Sequence, residues 1–438
     1  MSVLRTRPAR RALAATVALG ALGSVVLTAG AASAAPGSSG PAMARSVTAL
    51  AVPAPGTSGP APDLQGLKTA LQGVVTAGSP GAFARVSTAG SADRGVSVGT
   101  GDLSAKTPVD PDGQFRVGSI TKNFTAVLVL QLVAQGKVNL DAPAAGYLAP
   151  GVLPANSAIT VRELLNHTSG LYDYTNDILA GDTIPGYQNF RYKVYKPEDL
   201  VAQALAHGSQ FTPGARYQYS NTNFVVLGLL VEHLTGQPYA KVLGDRILTP
   251  LGLTHTRFIV PSTGIGGPHA IGYLTDDDRT KPMLDATAQT GSWIWTAGAA
   301  ISSTADLNTY WRALTGGRLL PAAQLAEMEK MSPVDTTSGY GLGLREYKLS
   351  CGTEVYGHDG IVEGYQTYSY TTKDGRRQLT VSANASNNTA IFAAERKALD
   401  PVFCGAPAPA ASASAFTADA TRIAHEETTG LPARSLQR

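Results

Sequence analysis

Four residues, Ser119-Ile120-Thr121-Lys122, constrain this chain more than any others. They stand where a β-like approach, Phe115-Arg116-Val117-Gly118, gives way to an apolar helical run from Phe124 to Val133. Positions three apart share one face of a helix. A serine hydroxyl and a lysine amine at that spacing therefore lie side by side, at the positive end of the helix dipole. Such a pairing builds an activated serine nucleophile. Ser-x-x-Lys alone is common, but no other lysine here has a serine three positions earlier. The setting adds to the signal: strand, sharp glycine, then helix.

The rest of the chain fits an exported enzyme. Arg5, Arg7, Arg10 and Arg11 precede an apolar stretch from Ala12 to Ala29, and Ala32-Ser33-Ala34 is a cleavage pattern, so residues 1–34 read as a signal peptide. A membrane anchor is the other use of such a stretch, but this one is alanine-rich and short for a span. The mature protein is expected outside the cell, with no membrane attachment and as a monomer. Residues 35–62, rich in Ala, Pro, Gly and Ser, read as a linker or propeptide. The folded part begins at Asp63, which can cap a helix carrying Leu64, Leu67, Leu71 and Val74. Residues 406–438 read as a disordered or removable tail. Two cysteines, Cys351 and Cys404, fit one disulfide in an exported chain, two free thiols being the alternative. The net charge is only +3 and no Lys/Arg block stands out, which argues against nucleic acid as a partner.

Periodicity divides the folded part. Ala82–Thr88 and Val96–Thr100 read as a hairpin. Helical patterns then dominate, including one opened by Thr160 and Glu163 at capping-box spacing and another from Phe224 to Leu234. After Trp293 come helices at Asp306–Leu314 and Pro321–Met331. Strands follow at Glu354–His358, Gln366–Thr371 and Gln378–Asn384, with a hairpin turn at Lys373-Asp374-Gly375. A last helix spans Ala390–Leu399. Strands at both ends with helices between predict an α+β fold. Residues 63–134 and 286–405 would form a sandwich around one antiparallel sheet, and 135–285 an all-helical insertion.

Two further motifs carry chemistry. Tyr219-Ser220-Asn221 lies between the Pro213-Gly214 turn and the apolar helix, where a phenol and an amide can be held rigidly. The same Tyr-x-Asn pattern at Tyr174 and Tyr187 falls in a loop and reads as ordinary loop aromatics. His358-Asp359-Gly360, the chain's one His-x-Gly, ends a strand; on an edge strand the glycine would let a substrate backbone approach. No metal-spaced His/Cys cluster occurs, so no metal or other cofactor is expected. The one Gly-x-Ser-x-Gly match, Gly95 to Gly99, lies in the hairpin rather than at a strand-to-helix elbow, so the α/β-hydrolase reading fails.

Taken in this order, the three motifs resemble those of the penicillin-recognising serine hydrolases: DD-peptidases, class C β-lactamases, and related esterases and D-aminopeptidases. The segment from Leu164 to Leu171, with Asn166-His167-Thr168-Ser169-Gly170, is similar too. The nearest likeness is to secreted actinobacterial D-alanyl-D-alanine carboxypeptidases, and it runs from about Leu64 to Cys404. The resemblance implies a β-lactamase/DD-peptidase-like fold and acyl-enzyme chemistry on peptides ending in D-amino acids, with β-lactams as further ligands. Ser119 would attack, with Lys122 or Tyr219 as base. Tyr219 and His358 would protonate the leaving amine, and Asn221 would hold the acyl-side amide. The N–H groups of Ser119 and Ile361 would receive the oxyanion. Trp293 matches an aromatic cleft wall.

One departure matters. Carboxypeptidases of this kind carry hydroxyl side chains on both sides of the motif's glycine, and these grip the substrate's terminal carboxylate beside an arginine. Here Asp359 and Ile361 flank Gly360, and Arg345 matches the arginine. Residues two apart on a strand face one way, so Asp359 and Ile361 are expected in that grip, with Asp359 repelling a carboxylate or pairing with Arg345. Esterase, β-lactamase and D-aminopeptidase or D-amidase activities on the same scaffold are the competing readings. A binding protein without turnover is disfavoured by the intact Ser119, Lys122 and Tyr219.

Overall fold

The computed structural model describes residues 59–405. The expected signal peptide, most of the linker and the tail lie outside the described residues. Asp63 opens the first helix, α1 (Leu64–Thr76), its side chain accepting the Gly66 N–H. Leu67, Leu71 and Val74 then point inward at helical spacing. Three strands follow: β1 (Gly81–Thr88), β2 (Arg94–Asp102) and β3 (Thr107–Pro108). Near the other end of the chain come β4 (Ser332–Pro333), β5 (Ser338–Tyr340), β6 (Arg345–Lys348), β7 (Glu354–Val362), β8 (Tyr365–Thr372) and β9 (Arg377–Ala383). All nine form one antiparallel sheet in the order β3-β2-β1-β9-β8-β7-β6-β5-β4. The first and last groups of strands join between β1 and β9, where Ala82 faces Ala383 and Thr88 faces Arg377.

Helices cover both faces, so the inner strands β1, β7, β8 and β9 are buried on both sides, while β2, β3 and β4 at the edges are largely exposed. Between the two groups of strands lie α2 (Thr121–Ala134), α3 (Asn221–Thr235) and α4 (Thr304–Thr315). After them come α5 (Thr389–Arg396) and α6 (Leu399–Phe403). Ala82, Ala84 and Val86 of β1 join Tyr368, Tyr370, Leu379 and Val381 under α1, α5 and α6. Phe83, pointing the other way, belongs to a second core built on α2, α3 and α4. The last predicted helix, Ala390–Leu399, is α5, which stops at Arg396; Leu399 already opens α6. Proline is tolerated only in a helix's first turn, and Pro401 sits in the first turn of α6. The Cys351–Cys404 disulfide forms, with 5.9 Å between the Cα atoms, and ties the β6–β7 turn to the end of α6.

The helical part begins with Val161–Leu165, opened by the Thr160–Glu163 capping box, and runs through α3 and several short helices to Thr249–Leu251. The chain then rejoins the sheet region: Tyr273–Leu274 pairs with both Leu284–Asp285 and Ala385–Ser386. Tyr174 and Tyr187 are not loop aromatics. Both are buried, and the Tyr187 hydroxyl donates to the Ala286 carbonyl. Among the described residues no helix is long and apolar enough to cross a membrane.

Glu395 on α5 gives the fold a titration signature. Burial pushes its carboxyl well above the usual range, against the pull of the Ala383 N–H. A raised acid adds stability while protonated and loses it as pH climbs through the folded-state value. Wild-type stability is therefore expected to fall relative to Glu395→Gln by about 1.4 kcal/mol per pH unit from about pH 4.5 upward. Denaturant titrations of the two proteins at a series of pH values check this; parallel curves would show that Glu395 ionises normally.

Candidate active site

The strand Gln114–Arg116 pairs with Ile301–Ser303 and delivers the chain to a tight 3₁₀ turn, Gly118–Ile120. That turn runs straight into α2, a helix buried on nearly every side. Ser119 is thus presented just ahead of the helix, with Lys122 in its first turn. Lys122 Nζ lies 2.8 Å from each of three oxygens: Ser119 Oγ, Asn221 Oδ1 and the Ala297 carbonyl. Two of those oxygens can only accept. They fix two N–H bonds and turn the third position of the amine onto the serine. A hydroxyl either accepts or donates, so this amine can take the serine proton without giving up its other bonds. The Tyr219 hydroxyl reaches the same Oγ from another side, also at 2.8 Å. Its ring lies 4.7 Å from Lys122 Nζ, close enough for a cation–π contact.

The β7 strand closes the other side of the serine. His358-Asp359-Gly360 lies inside this strand, not at its end. β6 pairs only as far as Gly357, while β8 continues alongside to Val362. The edge left beyond Gly357 is filled by the Gly118–Ile120 turn. A Cβ on Gly360 would fall 2.0 Å from the Val117 carbonyl and 3.1 Å from Ser119 N. A Cβ on Gly118, where φ is +52°, would meet the Ile361 backbone at 2.7 Å. Gly360 therefore admits the protein's own backbone rather than a substrate's. Together the two glycines bring the main chain at Ser119 against that at Ile361.

Asn221, expected to hold a substrate amide, has both ends of its own amide engaged. Oδ1 accepts from Lys122, and Nδ2 donates to Asp173 at 2.9 Å and to Thr175 Oγ1 at 3.2 Å. Asp173 was not singled out in the sequence. It also accepts the Asn221 backbone N–H and both donors of Thr175. The Asp173-Tyr174-Thr175 turn pattern was the available signal. Burial pushes its carboxyl up, and the Asn221 and Thr175 bonds pull it back. Asn221 is thus the link between Asp173 and the catalytic amine. Asn221→Ala is expected to slow acylation about 10²-fold and to cost about 1–3 kcal/mol of stability, because Asp173 loses a buried partner. Stopped-flow acylation and thermal unfolding measure the two effects separately.

His358 is fully buried, and desolvation, with the fields of Arg345 and Lys122, holds it well below the usual histidine range. Its Nδ1 lies 2.5 Å from the Asp359 carbonyl, which can only accept, so the proton is on Nδ1. Nε2 then accepts from the Tyr340 hydroxyl at 2.9 Å. In this state it has no Nε2 proton to give, unlike the proton donor expected from sequence. His167 is neutral for the same reason, chiefly its burial. Its Nδ1 accepts the Ser220 N–H and the Asn223 amide, and its ring lies 4.2 Å from that of Tyr219. It braces the phenol at the helix entry.

Arg345 and Asp359 form an ion pair at 3.0 Å with neither side chain exposed. Asp359 also accepts from the hydroxyls of Tyr347, at 2.9 Å, and Tyr370. Burial pushes its carboxyl up; Arg345 and the two hydroxyls pull it down. The carboxylate expected in an open grip is instead sealed in the wall. Ile361, two residues on, does line the cleft, together with Ser119, Thr175, Asn221, Trp293 and Glu363. Trp293, expected as a cleft wall, is also a core residue. It is 3% exposed and bonded to Gln289, yet it borders the serine's cleft. A wider hollow of about 470 Å³, beside Glu198, Glu232 and His233, shares no residue with this cleft.

A Beta-lactamase family model matches residues 12–401. Among curated proteins, Penicillin-binding protein 4 of Amycolatopsis lactamdurans is 32% identical over 281 residues, covering 59% of this chain and 69% of its own. The chain spans about two thirds of the length of that relative and of two from Bacillus subtilis, with 65% to 69% covered. Among solved structures, the D-stereospecific amidohydrolase from Streptomyces sp. is 37% identical, with a TM-score of 0.70, covering 79% of this chain and 100% of that one. The D-amino acid amidase from Ochrobactrum anthropi, solved with D-phenylalanine, is 26% identical with a TM-score of 0.68, covering 82% of this chain and 99% of its own.

Proposed function

This chain belongs to the Beta-lactamase family, and from that premise we propose that it is an exported serine hydrolase that forms an acyl-enzyme at Ser119 with D-amino-acid substrates. The observation that carries the reading is Ser119 Oγ held 2.8 Å from both Lys122 Nζ and the Tyr219 hydroxyl. Ser119 attacks the carbonyl as its proton passes to that pair. The tetrahedral oxyanion is received by the Ser119 and Ile361 N–H groups, each donor worth about 3 kcal/mol of barrier. The leaving amine takes the proton back through Tyr219, the C–N bond breaks, and water later releases the acyl group. Export is supported by the N-terminal pattern and by the Cys351–Cys404 disulfide, a bond typical of oxidising compartments.

Within this reading, amides, esters and peptides without a free terminal carboxylate are preferred over a D-alanyl-D-alanine carboxypeptidase substrate. The buried Arg345–Asp359 pair supports the preference, since an arginine already matched to a carboxylate attracts a second one weakly. The D-selective amidohydrolase and amidase neighbours agree with it. The test is turnover of a peptide ending in D-Ala-D-Ala against its C-terminal amide. Faster hydrolysis of the amide is expected, and a strong preference for the acid overturns the assignment. Labelling with a fluorescent penicillin, followed by peptide mapping, is expected to place the adduct on Ser119.

A further inference from the structure

Glu363 is the one acidic side chain lining the serine's cleft. It plays no part in the chemistry above. Its Oε2 is enclosed and meets no hydrogen-bond partner among the described residues. Burial pushes its carboxyl up to about 7, and only its own backbone N–H pulls the other way; no cation contributes. Arg116, buried nearby, spends its guanidinium on the carbonyls of Thr287, Thr263 and Gln289. The Gln289 amide holds Glu363 by its main-chain oxygen, not by its carboxyl. A carboxylate in this setting lacks the partner that buried charges ordinarily have.

The direction of β7 says which part of a substrate would meet it. Asp359 and Arg345 mark the end where a leaving group's carboxylate was expected, and Ile361 N–H marks the carbonyl. Glu363 lies two residues further on, in the turn that follows Val362, the last residue of β7, and borders the cleft beyond Ile361. That is the acyl side of the scissile bond, bordered also by Trp293 and Thr175. We propose that Glu363 binds the free ammonium group of the acyl part, so that the preferred substrates are D-amino-acid derivatives with an unblocked amine. The inference rests on acyl transfer at Ser119 as assigned above and narrows its substrate class. An arriving ammonium supplies the missing partner and holds Glu363 ionised.

Two β-lactams that differ only by an acyl-side amine, ampicillin and benzylpenicillin, test this without requiring amide turnover. The readout is the ratio of their acylation rates at Ser119 in wild type, Glu363→Gln and Glu363→Asp, with folding checked by thermal unfolding. Wild type is expected to favour the amine-bearing compound, Glu363→Gln to lower the ratio at least tenfold, and Glu363→Asp to keep part of it. A ratio of one in wild type, or an unchanged ratio in Glu363→Gln, overturns the assignment. Turnover of D-phenylalanine amide and its N-acetyl form is read separately. If both β-lactams acylate Ser119 but neither amide is hydrolysed, the D-amino-acid reading falls while the ratio still decides the role of Glu363.

Discussion

Ser119→Ala is expected to abolish labelling by a fluorescent penicillin and to lower hydrolysis of any substrate by on the order of 10⁴-fold or more. The side chain is small, and its loss leaves Lys122 with its Asn221 and Ala297 acceptors, so the thermal midpoint should scarcely move. Lys122→Met is expected to be comparably inactive, because the amine is the hub that joins Ser119, Asn221 and Ala297. Tyr219→Phe separates the two candidate bases. If Lys122 takes the serine proton and Tyr219 delivers it to the leaving amine, the phenylalanine variant still acylates with a β-lactam but loses amide hydrolysis by about 10²–10⁴-fold. Comparable loss of both reactions would assign the first proton transfer to the phenol. Full activity in Ser119→Ala would end the covalent account.

The second large effect lies in the wall behind the cleft. Asp359→Ala leaves the Arg345 guanidinium buried without its carboxylate and is expected to cost about 3–5 kcal/mol of stability, measured by denaturant unfolding. Asp359→Thr, which installs the hydroxyl of the carboxypeptidase pattern, is expected to be similarly destabilised and to gain little activity on a free D-Ala-D-Ala terminus. The Tyr347 and Tyr370 hydroxyls would still be aimed at a carboxylate that is no longer there. Conversion to an efficient carboxypeptidase by this one change would mean that Arg345 is available to substrate in the native protein.

The parts of the site that are local in sequence were legible in it. Ser119 and Lys122 share a helix entry, Thr160 and Glu163 share one turn, and β7 to β9 follow one another through short turns. What the sequence did not convey depends on distant partners. Asn221 meets Asp173 across 48 positions, so a side chain that reads as a substrate ligand turns out to hold the catalytic amine. Asp359 alternates into the expected face, but alternation says nothing of whether that face is open. Three side chains from neighbouring strands close over it. Tyr174 and Tyr187 sit among Gly and Asp residues that signal turns, and only the packing of the helical part shows them to be buried. The Gly360 motif was recognisable, while the reason for its glycine, a main-chain carbonyl 2.0 Å from the absent Cβ, exists only in three dimensions.

The pairing of β1 with β9 joins residues 81–88 to residues 377–383. A chain emerging from its N-terminus cannot complete that seam until almost the whole of it has appeared. Until then β1 has an unsatisfied edge of the kind that invites mispairing, and a contact so remote in sequence closes slowly. The architecture therefore delays assembly, and with it the meeting of Ser119 and Ile361, to the last moments of the polypeptide's release.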